Sequence, residues 1–490
     1  MESILNKLQT LSESDFYPYH MPGHKRNGAP VFSTDITEID EFDNLHHATG
    51  ILKEAQERAA GLYGSKESFY LVNGSTCGLL AAIFATFQRG DTVLVARNCH
   101  KAVYHAIEIR GLNPVFIYPK TDRKYDISVG ISAEQVSDVL KNYDSECGKI
   151  ITDTKEAFEK CDGGKARIGK IKGMILTSPT YEGLISDIEG IADFLHNRDM
   201  VLIVDEAHGA HFGFHRAFPE SAIKQGADLV IQSLHKTLPS MTQTALLHRC
   251  SDRVDIAKIR KYLGVFQTSS PSYVFMAHMD ACVDLLQEQG TELFEEFACR
   301  LNDFYKICES FEHIMVYRPA DPGKVLISAD CYTGKELYDI LRSRYHLQPE
   351  MCAGNYVLAI MTICDTEVGF ERLHQALSEL DAELADSGRI CKTEEQSANK
   401  TLVSLVKMRP EQKYYPYEIE AKEKKMVKLA EAEGCVSAEY IYLYPPGIPF
   451  IVPGEVITGE MAELFWDLQS EGYELQGPTD VTGEFLKVLL

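Results

Sequence analysis

The sequence predicts an α/β fold: a mostly parallel sheet covered on both faces, followed by smaller α+β C-terminal domains. Two observations carry this. From about residue 51 short apolar runs alternate with helical patterns, the order that parallel strands and crossover helices require. At 490 residues the chain is also long for one domain, and the usual size prior suggests roughly three.

Taken in order, residues 1–50 are irregular, and "HMPGHKRNGAP" carries turn signals at Pro22, Gly23 and Gly28. "ILKEAQERAAGLYG" predicts a helix closed by Gly64, and "ESFYLVN" a strand. "STCGLLAAIFATFQRG" is apolar nearly all round and predicts a buried helix. "DTVLVA", "NPVFIYP", "KGMILTSP", "MVLIVDEA" and "ADLVIQ" predict strands. "HKAVYHAIEIRG", "SAEQVSDVLKNY" and "IEGIADFLHNRD" predict helices. Residues 143–170 read as a surface insertion or hairpin, and about 251 to 315 as helical. "KVLISAD", "GKELYDILRSRYHL", "NYVLAIMTIC" and "EVGFERLHQALSELDAEL" predict a smaller α+β unit; the polar stretch 387–400 reads as a linker. The Pro- and Gly-rich "EYIYLYPPGIPFIVPGE" belongs to a separate C-terminal piece.

A hydrophobic content of 45% allows sizeable cores. The net charge of -23 argues against a polyanion, because nucleic-acid binding depends on Lys and Arg neutralising phosphates. It is compatible with a small cationic substrate, but by itself the charge is better read as solubility alone. No signal peptide is expected from "MESILNKLQTLSESDFYPYH", and "GLLAAIFATF" is too short to span a bilayer. Thirteen scattered cysteines without CxxC pairs fit reduced thiols, so a cytoplasmic protein without membrane or nucleic-acid partners is expected.

"VLIVDEAH" resembles the Walker B segment of a nucleotide hydrolase, but no Gly-Lys pair is followed by Ser or Thr as a phosphate loop requires. His208, His211 and His215 have helical spacing for a metal, yet Gly209 and Gly213 interrupt it and no thiolate completes the set; no metal is expected. A third reading joins several segments. Pyridoxal 5′-phosphate (PLP) needs a lysine for a covalent imine, an acid at its ring nitrogen and a phosphate cradle. Lys236 leaves the end of the "ADLVIQ" strand, and Asp205 ends the strand before it. "NGST", Asn73 to Thr76, offers a turn and hydroxyls at a helix start, which is an anion site and also an ordinary capped start.

This arrangement resembles fold-type I PLP-dependent enzymes (aspartate aminotransferase-like), and within them the Orn/Lys/Arg decarboxylase family. The likeness is carried by "YHMPGHKRN", "FDNLHHATGIL", "LVNGSTCG", "RNCHKAVYHA", "SPTYEGLISDI", "VDEAHGAHFGFH", "SLHKTLPSMTQTA", "QTSSPSY" and "YPPGIPFIVPGE". It implies that Lys236 carries the cofactor, with Asp205 at the pyridine nitrogen and His100 stacked on the ring. It also places Ser75, Thr76, Ser233 and His235 at the phosphate, and Ala207 on the other ring face with His208 beside it. Thr268 and Ser269 would reach the phosphate of a partner subunit, giving a homodimer or larger assembly with shared sites. His100 also reads as a helix cap, His208 as a core histidine, and Thr268 and Ser269 as turn residues before Pro271.

The resemblance further implies four parts: an arm over the active site at 1–50, a PLP-binding large domain at 51–290, a small domain at 291–386 and a C-terminal decarboxylase subdomain at 401–490. The resemblance is to a short form, expected to lack the receiver-like domain that precedes "HMPGHK" in large members. The implied reaction is decarboxylation of a basic L-amino acid to an amine, feeding polyamine metabolism. Arginine is favoured, with lysine or ornithine possible. Asp43 and Glu455 are candidate carboxylates for the substrate's distal cation, or simply surface acids; His208 or Lys236 would return the proton to Cα. An aminotransferase, a β-eliminating lyase and a catalytically silent binding protein are the alternatives.

Overall fold

A computed structural model describes residues 3–122, 127–153, 169–387, 408–444, 447–470 and 474–490. The first part holds α1 (Ile4–Glu13), α2 (Ile51–Tyr63), β1 (Glu67–Leu71), α3 (Gly74–Thr86), β2 (Thr92–Ala96), α4 (Lys101–Arg110), β3 (Asn113–Ile117) and α5 (Ala133–Asp153). It continues through β4 (Ile171–Thr177), α6 (Ile188–His196), β5 (Val201–Asp205), β6 (Leu229–Ser233), α7 (Leu234–Thr237), β7 (Ala245–Arg249) and α8 (Ile256–Phe266). The seven strands form one sheet in the order β1-β7-β6-β5-β4-β2-β3. Strands β2 to β6 run parallel, and β7 pairs antiparallel with both β6 and β1. Every residue of β2, β6 and β7 is buried, as expected for strands covered on both faces.

Helix α9 (Tyr273–Cys308) then leads without a break into the small unit, so the expected boundary at 290/291 falls inside a continuous helix. That unit contains β8 (Ile314–Tyr317), β9 (Lys324–Ala329), α10 (Gly334–Tyr345), β10 (Met351–Ala353), β11 (Tyr356–Ile360) and α11 (Glu367–Ser387), its antiparallel sheet ordered β10-β11-β9-β8. The C-terminal piece has β12 (Lys424–Lys428), β13 (Ile441–Tyr444), β14 (Ile448–Ile451), α12 (Gly459–Ser470), β15 (Glu474–Gln476) and β16 (Phe485–Leu489), with sheets β12-β16 and β14-β13-β15.

The small sheet divides two cores because strand side chains alternate faces. Val325, Ile327 and Val357 join the core of the large sheet, whereas Leu326, Tyr356 and Leu358 pack with C-terminal residues such as Phe465 and Ile441. Within the expected insertion at 143–170, helix α5 continues to Asp153; residues 154–168 lie outside the described residues. So does the expected linker beyond Ser387. No helix among the described residues is long and apolar enough to cross a membrane.

Candidate active site

Strand β6 ends at Ser233 and turns at once into the single turn α7, which carries His235 and Lys236. Its parallel neighbour β5 ends at Asp205, so both residues stand at the carboxyl edge where open α/β sheets bind ligands. Helix α3 starts at the same edge: Gly74 takes φ +72°, which favours glycine, and Ser75 Oγ lies 2.7 Å from Ser233 Oγ. No side chain caps α3, which leaves its first N–H groups available to an anion. Asn73 Oδ1 accepts from the Thr268 N–H at 3.1 Å, and the Thr268 carbonyl lies 2.8 Å from His46 Nε2. Thr268 and its neighbour Ser269 are therefore close to the α3 start of their own chain.

Asp205 is 3% exposed, and burial raises its carboxyl pKa, opposed by Lys236 and by the Ala207 N–H. Among the described residues, the 3.2 Å bond from Ala207 is the hydrogen bond this carboxylate receives. A buried carboxylate so thinly solvated calls for a cationic partner. A protonated pyridine nitrogen is such a partner, and the uncapped α3 start suits a phosphate; the residues present fit the cofactor.

His100 caps α4, its Nδ1 accepting from the Ala102 N–H at 3.2 Å, which leaves its proton on Nε2. Burial, then Lys236, Lys101 and His105, push its pKa down to about 4, so the ring is neutral. The cap fixes the ring plane and is compatible with stacking. His235 donates Nδ1–H to the Thr244 carbonyl at 2.8 Å, and burial lowers its pKa.

His208 is buried between two lysines. Lys236 Nζ lies 3.1 Å from its Nε2, and Lys324 Nζ lies 3.1 Å from its Nδ1. The Tyr181 ring lies beside it at 4.5 Å. Lys324 opens β9 and is 1% exposed; burial pushes its pKa down to about 8 against the pull of Asp321. Gly183 makes room for it, since a Cβ there would lie 2.8 Å from Lys324 Cγ. Sequence reasoning missed Lys324, although "GKVLISA" places a lysine at the edge of a buried strand just as "VIQSLHK" does. His211 and His215 go elsewhere, to Asp321 at 3.0 Å and Glu295 at 2.9 Å, so the three histidines diverge.

Each of the two candidate substrate acids has partners within its own chain. Asp43 accepts N–H bonds from Asn44, Thr49, Gly50 and Leu52, between 2.7 and 3.2 Å, and so caps the start of α2. Burial raises its pKa, but those N–H groups more than offset it and the net shift is downward. Glu455 is 1% exposed, pairs with Arg97 Nη2 at 3.3 Å and accepts from the Val452 N–H at 2.9 Å. Arg97 also donates to the Pro449 carbonyl at 2.6 Å and to the Phe450 carbonyl at 3.3 Å, tying the C-terminal piece to the large sheet. Glu455 is thus buried against a guanidinium, and the half-buried Asp43 carboxylate is occupied by backbone N–H donors. Besides Asp205 beside Lys236 and Asp321 beside Lys324, the carboxylates that act on these lysines are Glu350, on both, and Glu182, on Lys324.

The sheet and its strand-end constellation define a fold-type I PLP-dependent enzyme. Residues 5–336 match the Orn/Lys/Arg decarboxylase major domain, and residues 393–477 match the C-terminal domain of the same family. The chain belongs to the Orn/Lys/Arg decarboxylase family and is a PLP-dependent decarboxylase. It is 33% identical to the uncharacterized protein YaaO of Bacillus subtilis, over 97% of this chain and 95% of that protein. It is 31% identical to an arginine decarboxylase of Halalkalibacterium halodurans, over 96% of this chain and 94% of that protein. The solved lysine decarboxylase LdcF of Francisella novicida shares the fold, with a TM-score of 0.79 at 20% identity, covering 100% of this chain and 81% of that one.

Proposed function

We propose that this protein decarboxylates L-arginine to its amine and carbon dioxide, in the cytoplasm, feeding polyamine metabolism. The observation that carries the reading is the meeting of Lys236, Asp205 and the α3 start at adjacent strand ends. Relatives called arginine decarboxylase align over 96% of this chain at 29% to 31% identity, which supports arginine.

Lys236 would hold the cofactor covalently, Asp205 would face its ring nitrogen, and His100 and Ala207 would flank the ring. The α3 N–H groups with Ser75, Thr76 and Ser233 would take the phosphate. His235 can add a donor there only when Nε2 is protonated, because its Nδ1–H is spent on Thr244. Thr268 and Ser269 would reach a partner subunit's phosphate, which makes a dimer the minimal assembly. When bound, PLP supplies the electron sink that stabilises the carbanion left as carbon dioxide departs. Asp205 preserves that sink by favouring a positive ring nitrogen. His208 Nε2 and Lys236 Nζ, 3.1 Å apart, are the groups placed to return a proton to Cα. Glu350 would bind the substrate's distal cation.

Release of labelled carbon dioxide from arginine, lysine and ornithine tests the assignment. Turnover of arginine with the highest kcat/KM is expected; keto-acid products, or no release from any of the three, would overturn it.

A further inference from the structure

The Lys236–His208–Lys324 row obeys a strict proton count. An ammonium only donates, and a neutral imidazole has one N–H and one lone pair. With both ring nitrogens 3.1 Å from a lysine nitrogen, a neutral ring can be fully hydrogen-bonded only if the lysine facing its N–H is a free amine, while the other lysine is free to be an ammonium. The row then holds at most one ammonium, and with an anion at each end that single positive charge can sit at either lysine. Moving it takes two hops: Lys236 gives a proton to His208 Nε2, and Nδ1–H passes to Lys324. The imidazole exchanges tautomers and net charge is unchanged.

Each end has its own counter-anion. Asp205 faces Lys236, while Asp321, fully buried and held by His211 and the Gly323 N–H, faces Lys324. Glu350 acts on both lysines and Glu182 on Lys324; His100 and His235 are the other titratable groups acting on His208. A cofactor ring nitrogen would claim Asp205 and leave Asp321 as the better counter-anion, drawing the charge to Lys324. We propose that Lys324 is a positioning residue that, through His208, takes up the proton Lys236 must lose before it can attack the cofactor aldehyde. In that attack the Lys236 nitrogen bonds the aldehyde carbon and water leaves. Lys324 is suited to the task because burial has brought it near neutral pH, to about 8. The inference rests on Lys236 being the cofactor lysine.

The test strips the full chain of cofactor, adds PLP across a pH series, quenches with borohydride and measures label on the Lys236 peptide by mass spectrometry. Lys324→Met removes the acceptor, so the midpoint for capture should rise by about one pH unit and the rate at neutral pH fall about tenfold. Lys324→Arg keeps a charge that cannot be given up, so capture should extend to lower pH than in the unaltered protein. A purely structural role would slow capture without opposed shifts. Coinciding midpoints in all three proteins would overturn the relay while leaving the proposed function intact; no label on Lys236 in the unaltered protein would overturn both. Nitrogen-15 NMR of His208 in the unaltered protein is independent of how the variants fold. It should show a neutral ring at neutral pH whose protonated nitrogen changes on cofactor capture; an imidazolium, or a tautomer that does not respond, would overturn the relay.

Discussion

Glu455→Gln separates a substrate carboxylate from a structural one. The change keeps the side-chain shape and a carbonyl oxygen for the Val452 N–H, but leaves the Arg97 guanidinium buried without its anion. Breaking a buried pair on one side costs about 3–5 kcal/mol. Arg97 keeps the Pro449 and Phe450 carbonyls and the Tyr104 hydroxyl, so the loss here should fall toward about 2–3 kcal/mol. Because Arg97 directly follows β2 and those carbonyls lie in β14, the damage should concentrate where the C-terminal piece meets the large sheet. Urea unfolding should show a lowered midpoint, and limited proteolysis should cut the C-terminal piece earlier, with KM for arginine unchanged. A KM raised tenfold or more, about 1.4 kcal/mol of lost binding, with unaltered unfolding would refute the structural role and restore Glu455 as a substrate ligand.

Three further outcomes follow from the same geometry. Asp205→Asn removes the charge facing the ring nitrogen; turnover should fall by at least about a hundredfold while borohydride still fixes cofactor to Lys236, as measured by kcat and peptide mass. Glu350→Gln should raise KM for arginine about tenfold, the worth of a lost charged contact, with little change in kcat. Asp43→Asn bears on pH: the folded-state pKa of Asp43 is depressed, so its contribution to stability is present above the unfolded value near about 3.9 and is lost as pH falls through the lower folded value. Thermal unfolding of the variant should be less stable at neutral pH, by roughly 1 kcal/mol, and the gap should close in acid.

The strand ending at Asp205 and the strand before Lys236 were legible because apolar runs ending in a polar residue mark a buried strand's edge, and "NGST" because a turn before an apolar run marks a helix start. Strand β7 was not legible: "ALLHR" ends in a histidine and an arginine, whose burial depends on remote partners. His248 lies 2.7 Å from Ser68 Oγ and 3.1 Å from Gln232 Oε1, and Arg249 lies 2.8 Å from Glu67. The same limit explains Asp43 and Glu455, since a carboxylate's task is set by the donors around it and Arg97 stands 358 positions from Glu455. Lys324 escaped notice because its meaning lies in His208, 116 positions away, which only the packing of the small unit against the large sheet brings within reach.

The most direct test is to incubate the purified chain with PLP, reduce with borohydride and locate the added mass. The expected result is a single modified lysine at position 236, lost with its yellow colour and with carbon dioxide release from arginine in Lys236→Ala. Label on another lysine, or a Lys236→Ala variant that still decarboxylates arginine, would contradict it.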